Sequence, residues 1–172
     1  MIKYHDEEWG VPLHDERKLF EFIVLDAFQA GLSFGTILNK RENFRKAFDD
    51  FQPEKIARYS EKKIEKLLAD AGIIRNKQKI NASINNAARF LEIQQETGSF
   101  DKYIWQFTEG RTIKNHWKDI KEIPPRSVES DAMSKALIAK GFKFVGSTIC
   151  YAFMQATGMV NDHLVGCQIA GR

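Results

Sequence analysis

Cysteine is scarce in this chain: Cys150 and Cys167 are the two thiols among 172 residues. Two thiols make no disulfide framework, so the fold rests on burial, and a reducing cytoplasm is the expected compartment. No run approaches the ~18 consecutive apolar residues of a membrane span. The opening "MIKYHDEEWG" contains no apolar core of a secretory signal. An excess of one charge is also missing. Lys plus Arg number 26 against 23 Asp plus Glu, for a net charge of +3. Any nucleic-acid contact therefore has to come from a local patch. Alternating strand patterns, internal repeats and low-complexity segments are lacking too.

What is present is helical periodicity and phenylalanine, of which there are 13. "DERKLFEFIVLDAFQAGL" places Leu19, Phe20, Ile23, Val24 and Ala27 on one stripe, with Asp15 as N-cap. "SFGTILNKRENFRKAFDDF" reads as the next helix. "QPEKIARY" starts a short one with Pro53 at its first position, and "SEKKIEKLLADAG" begins at Ser60 and stops at Gly72. "KQKINASINNAARFLEIQQETG" is long and ends near Gly98, and "FDKYIWQF" is short. Residues 109–130, with Gly110, Pro124 and Pro125, read as a loop connecting two lobes. "SDAMSKALIAKG", capped by Ser130 or Asp131, and "STICYAFMQATG", apolar nearly all round, complete the chain. The expectation is a single all-α domain over residues 1–172, with roughly eight helices.

Four constellations could carry chemistry. In "VNDHLVGC", His163 and Cys167 stand four apart, one turn on a helix, and could chelate one ion with help from His5, His14 or His116. The plain alternative is a capping histidine and a small buried cysteine. "GFKFVGSTICYAF" has the form of a helix-hairpin-helix element, about residues 131–157. Gly146 permits close approach to a phosphate, the next helix offers its first amides, and Lys140 and Lys143 add charge. A plain helix–helix turn is the alternative. "GIIRNKQKI" carries Arg75, Lys77 and Lys79 at a helix start, as a phosphate contact or a solvated basic loop. In "LDAFQAGLSFG", Asp26 interrupts an apolar stripe beside Phe28 and Phe34, with Gln29 and Ser33 nearby. An acid in an aromatic setting suits a flat cation, whereas a lone Asp more often faces solvent.

"YHDEEWGVP", "QAGLS", "KRENFRKAF", "DAGIIRNKQKI" and "SKALIAKGFKFVGSTICYAFMQATGMVNDHLVGC" together resemble the bacterial 3-methyladenine DNA glycosylase I family in order and spacing, over residues 4–167. That family is a divergent branch of the helix-hairpin-helix glycosylases. The resemblance implies base excision repair by a monofunctional enzyme, which flips N3-methyladenine out of alkylated double-stranded DNA and hydrolyses its glycosidic bond. It implies a structural zinc joining the two ends of the chain, with His5, His163 and Cys167 as ligands. The family's fourth ligand, a cysteine preceding "YHD", is missing here, so the expected site is open, weakly filled or empty. The family carries glutamate and tryptophan where Asp26 and Phe34 stand. Asp26 is then the base-reading carboxylate with a shorter reach, Tyr4, Trp9 and Phe34 form the stacking pocket, and Lys143, Gly146, Ser147 and Thr148 hold DNA. Asp162 stands where many helix-hairpin-helix glycosylases place an acid that supports the cationic sugar. A cytoplasmic monomer without membrane contact is expected. An altered-specificity or non-catalytic relative that binds damaged DNA is the alternative reading.

Overall fold

The computed structural model describes residues 2–169, and ten α-helices carry the fold among them. α1 (Ile2–Glu7) precedes the central α2 (Glu16–Gln29), and α3 (Phe34–Asn39) and α4 (Arg41–Ala47) follow. α5 (Pro53–Ile56), α6 (Glu61–Ala69), the long α7 (Lys77–Thr97) and α8 (Phe100–Trp105) form the middle of the chain. α9 (Val128–Ala139) and α10 (Ser147–Ala156) close it. One connected cluster of buried side chains runs from Tyr4 to Val160, and eight of its largest fully buried members are phenylalanines. Among the described residues no helix is long and apolar enough to cross a membrane.

The helix starts follow side-chain chemistry. Asp15, Ser60, Asn76 and Ser99 each accept the backbone N–H three residues on, which satisfies an otherwise orphaned donor. Pro53 sits in the first turn of α5, and Gly98 ends α7 in the left-handed conformation. Other boundaries differ from the sequence reading, and each has a local cause. α9 is capped by Ser127, not by Ser130 or Asp131, because Ser127 and Ser130 exchange side-chain-to-backbone hydrogen bonds of 3.2 and 2.8 Å. α6 ends before Gly72, since the Asp70 carboxylate takes the Gly72 N–H at 2.7 Å and turns the chain. The single helix expected over residues 33–51 is broken. Ser33 caps α3, and the Lys40 ammonium donates to the carbonyls of Ala71 and Gly72 between α3 and α4. Asp49, Asp50 and Phe51 then all adopt positive φ. α1 lies in a segment that the sequence reading left without an element.

Residues 109–130 contain a two-residue strand, β1 (Ile113–Lys114), paired in parallel with β2 (Val160–Asn161). Two residues are too few to give an alternation signal. The pair matters for position, because β2 leads directly into Asp162 and His163. Beside it, residues 10–13 run as a strap along the end of α10, with Gly10 N–H donating to the Gln155 carbonyl and Leu13 N–H to that of Thr157. The strap crosses Gly158 so closely that a Cβ there would lie 2.2 Å from the Val11 carbonyl carbon, and Gly158 also has φ +70°. Backbone cannot yield as a flexible side chain can. Gly158→Ala should therefore destabilise the fold by more than about 2 kcal/mol in urea unfolding. A change within ~0.5 kcal/mol, the usual range for a neutral substitution, would contradict this packing.

Candidate active site

α2 is buried on every side. Leu19 through Phe28 are all inaccessible, so an acid in that run has no solvent face. Asp26 is that acid. It is 1 % exposed, and neither carboxylate oxygen has a hydrogen-bond partner among the described residues. Desolvation holds its pKa well above the ordinary carboxylate range. The carboxyl borders a cavity of about 140 Å³ lined by Tyr4, Trp9, Asp26, Gln29, Phe34, Ala152 and Gln155. The Tyr4 hydroxyl and Gln29 Oε1 are buried there without partners as well. Tyr4 and Phe34 rings lie 5.2 Å apart at 53°. Burial and the neighbouring Asp26 raise the Tyr4 phenol, which stays protonated.

The geometry therefore brings Tyr4, Trp9, Asp26 and Phe34 together, with Gln29. It leaves Phe28 and Ser33 out: Phe28 packs edge-on against Phe44 and Phe48 in the core, and Ser33 caps α3. Ala152 and Gln155 were not read from the sequence. They lie three apart on α10, and a polar Gln155 in a helix otherwise apolar nearly all round was the available signal.

The segment holding Tyr4 and Trp9 is fastened at two places. Arg41 donates through Nε to Glu21 and through a terminal nitrogen to Glu8, both at 2.7 Å, with its guanidinium 5.1 Å above the Phe22 ring. Removing one partner of such a buried pair leaves an uncompensated charge and costs about 3–5 kcal/mol. The second fastening is His5, His163 and Cys167, whose candidate ligand atoms all lie within 4.8 Å of one another. His5 pairs Nδ1 with Asp6 and His163 pairs Nδ1 with the Asn161 side chain, at 2.8 and 2.7 Å. Each ring thus keeps Nε2 for another partner, the usual outer-shell arrangement of a metal-ligating imidazole. His163 Nε2 is buried and, among the described residues, without a hydrogen-bond partner, and His5 Nε2 lies 3.9 Å from Cys167 Sγ. Two imidazoles and a thiolate suit zinc. Residues 162–167 are not helical, so the three residues meet through a turn rather than through one helical turn from His163 to Cys167. His14 bonds Asp101 and stacks on Trp105, away from this cluster. Trp9 stacks on His5 and meets His163 edge-on at 4.6 Å, so the cluster also fixes one wall of the cavity.

Asp162 is 1 % exposed and fully engaged. One oxygen accepts from Asn115 Nδ2 and Trp117 Nε1, the other from the Tyr151 hydroxyl and Gln155 Nε2, all at 2.7 Å. It locks the β1 segment to α10 and orients Gln155 in the cavity wall. Farther along, Gly141 has φ +87°, and Gly146 stands at the N-cap of α10. Lys143, Gly146 and Thr148 are exposed, while the Ser147 hydroxyl bonds that of Ser130 at 2.8 Å.

The family profile described as methyladenine glycosylase matches residues 1–170. The chain belongs to the methyladenine glycosylase family. It is 51 % identical to DNA-3-methyladenine glycosylase 1 of Escherichia coli over 166 residues, covering 96 % of this chain and 89 % of the relative. Identity to DNA-3-methyladenine glycosylase of Haemophilus influenzae is 44 %, covering 96 % and 90 %. Among solved structures, the chain resembles 3-methyladenine DNA glycosylase I of Staphylococcus aureus, described for its 3-methyladenine recognition. The TM-score is 0.96 at 34 % identity, covering 99 % of this chain and 91 % of the other. A tyrosine-to-phenylalanine variant of a 3-methyladenine DNA glycosylase I, solved with 3-methyladenine bound, matches with TM-score 0.96 at 33 % identity, covering 99 % and 92 %.

An unpaired buried carboxyl has a signature in stability. The raised folded pKa means that the folded state holds the Asp26 proton more tightly than the unfolded chain. Below about pH 3.9, the unfolded value, Asp26 exacts no ionisation penalty, and above it stability is lost until the folded pKa is passed. Asp26→Asn should therefore match the wild type near pH 3 and become the more stable protein as pH rises toward neutrality, by urea midpoints. A difference that stays flat with pH would show that the carboxyl is not desolvated.

Proposed function

We propose that this chain excises N3-methyladenine from alkylated double-stranded DNA in base excision repair, as a monofunctional, hydrolytic glycosylase. The observation that carries the reading is the cavity: aromatic walls around a buried carboxyl, with Gln29 Oε1 as a further free acceptor. N3-methylation gives the adenine in DNA a positive charge and leaves its exocyclic amine as a donor. A flat cation with donors on its edge satisfies what this cavity leaves unsatisfied. Tyr4, Trp9 and Phe34 stack against the flipped base, and Asp26 and Gln29 read its edge. The methylated base is already a good leaving group, so Asp26 discriminates rather than delivering a proton. The glycosidic bond breaks with its electron pair passing to the base, which departs neutral and leaves a cationic sugar, and water adds to the sugar carbon and gives up a proton to solvent. Asp162 has both oxygens occupied, so it acts by holding Gln155 and the β1 segment rather than by touching the sugar.

The α9–α10 turn serves as the helix-hairpin-helix element. The amides of Gly146, Ser147 and Thr148 face a phosphate beside the lesion, with Lys143 adding charge. His5, His163 and Cys167 would supply three ligands to a structural zinc, with water in the place of the missing fourth ligand, and the ion would tie the segment of Tyr4 and Trp9 to the end of the chain. The protein works in the cytoplasm as a monomer on DNA.

Two measurements test this. Purified protein incubated with methylated duplex should release N3-methyladenine above a no-enzyme control, by chromatography, and Asp26→Asn should reduce selectivity over normal adenine more than DNA affinity. DNA binding without base release would make the chain a non-catalytic binder. Metal analysis should find about one zinc per chain, and chelation should lower the melting temperature by several degrees or more, because metal binding is linked to folding. Stability indifferent to both chelator and added zinc would remove the metal from the account.

A further inference from the structure

Lys79 is a buried lysine, 7 % exposed, in a motif that DNA contact does not explain. Its ammonium points inward. It donates to the Phe28 carbonyl at 2.8 Å and the Ala30 carbonyl at 2.5 Å, and among the described residues it has no carboxylate within ion-pair distance. Those two acceptors lie at the C-terminal end of α2, two and four residues beyond Asp26 and flanking Gln29. A cation on the last carbonyls of a helix satisfies groups that have no intrahelical partner.

Seven residues on, two turns along the same face of α7, Asn86 performs a second fastening. Fully buried, it donates to the Lys143 carbonyl at 2.9 Å and accepts the Lys143 N–H at 2.8 Å, with Asn85 donating to the Gly141 carbonyl at 2.8 Å. Between the two fastenings, the Ser83 hydroxyl bonds the Lys79 carbonyl at 2.9 Å. One rigid helix therefore grips the acid-bearing end of α2 and the turn between α9 and α10, about 10 Å apart by helical rise.

We infer that Lys79 and Asn86 are positioning residues, and that α7 is the ruler that sets the base cavity at a fixed distance from the hairpin holding the DNA backbone. The inference rests on the glycosylase reading. A flipped base is attached to the strand whose phosphate the hairpin holds, so excision needs both contacts at once in one register. Free base and undamaged backbone each need only one. Misplacement by about an ångström can cost a hundredfold in rate while leaving each contact intact.

The test separates the parts from their coupling. Lys79→Met keeps the stem and removes the donors. Affinity for free 3-methyladenine and for duplex carrying an abasic-site analogue should stay within about threefold of wild type, while single-turnover excision from methylated duplex should fall about tenfold or more. Lys79→Arg, which keeps a cationic donor, should recover most of that loss. Asn86→Ala should show the same split, and the double variant should lose little beyond the worse single one, since both break one linkage. If Lys79→Met fails to fold by thermal melting, Asn86→Ala carries the test alone. Wild-type excision in Lys79→Met, or in Asn86→Ala where that variant stands alone, overturns the inference. So does loss of free-base affinity in step with excision, which would put Lys79 in the cavity itself. A wild type that releases no base would instead sink the glycosylase reading.

Discussion

The structure is organised around a carboxyl that no group among the described residues answers. Burying Asp26 inside an apolar helix without a partner costs several kcal/mol if it is charged, so the group stays protonated until something offsets the loss. A protein built for stability alone would place an apolar residue there. The neighbouring Tyr4 hydroxyl and Gln29 carbonyl are left unsatisfied as well, and three such groups around one cavity concentrate binding potential where a ligand edge can use it. The rest of the fold holds the walls of that cavity in place.

Three separate fastenings do this. Arg41 gathers Glu8 and Glu21 under Phe22 and holds the N-terminal segment to α2 and α4. His5, His163 and Cys167 converge from the two ends of the chain and press Trp9 into place. Asp162 collects four donors and fixes Gln155. The Arg41 and Asp162 arrangements are satisfied by several partners, the condition under which such groups rigidify rather than weaken a core, whereas in the cluster of His5, His163 and Cys167 the His163 Nε2 is left for a further ligand. Lys79 belongs to the same set and differs in what it links, since it joins the cavity to the turn on which DNA is expected to lie.

Much of this was legible in the residues. The helices with strong stripes and clear end signals, the side-chain caps Asp15 and Ser60, Pro53 in a first turn and the left-handed Gly98, follow from local chemistry. Asp26 stood out because an acid in an apolar stripe demands an explanation, and Tyr4, Trp9 and Phe34 came with the family resemblance. What escaped was set by contacts distant in sequence. The break at Lys40 goes with hydrogen bonds to carbonyls 31 and 32 residues away, the β1–β2 pair is two residues long, and α1 packs into the core through Tyr4, against Phe22 and Phe34. His163 and Cys167 were paired for helical spacing, yet they meet through a turn anchored to Trp117. Asp162 read as a sugar-facing acid from its position and proves to be surrounded by donors. Lys79 read as one of three surface cations, and no spacing rule could have turned it inward toward the end of α2.

The central claim is that Asp26 is held without a partner in the base-free protein. Carbon-13 NMR of the aspartate side-chain carboxyls, followed over pH, reads this directly. The account predicts that the Asp26 carboxyl titrates well above the others and that its resonance shifts when 3-methyladenine is added. Titration with the exposed aspartates, near pH 4, would mean that the carboxyl is solvated or paired, and the reason for the cavity would be gone.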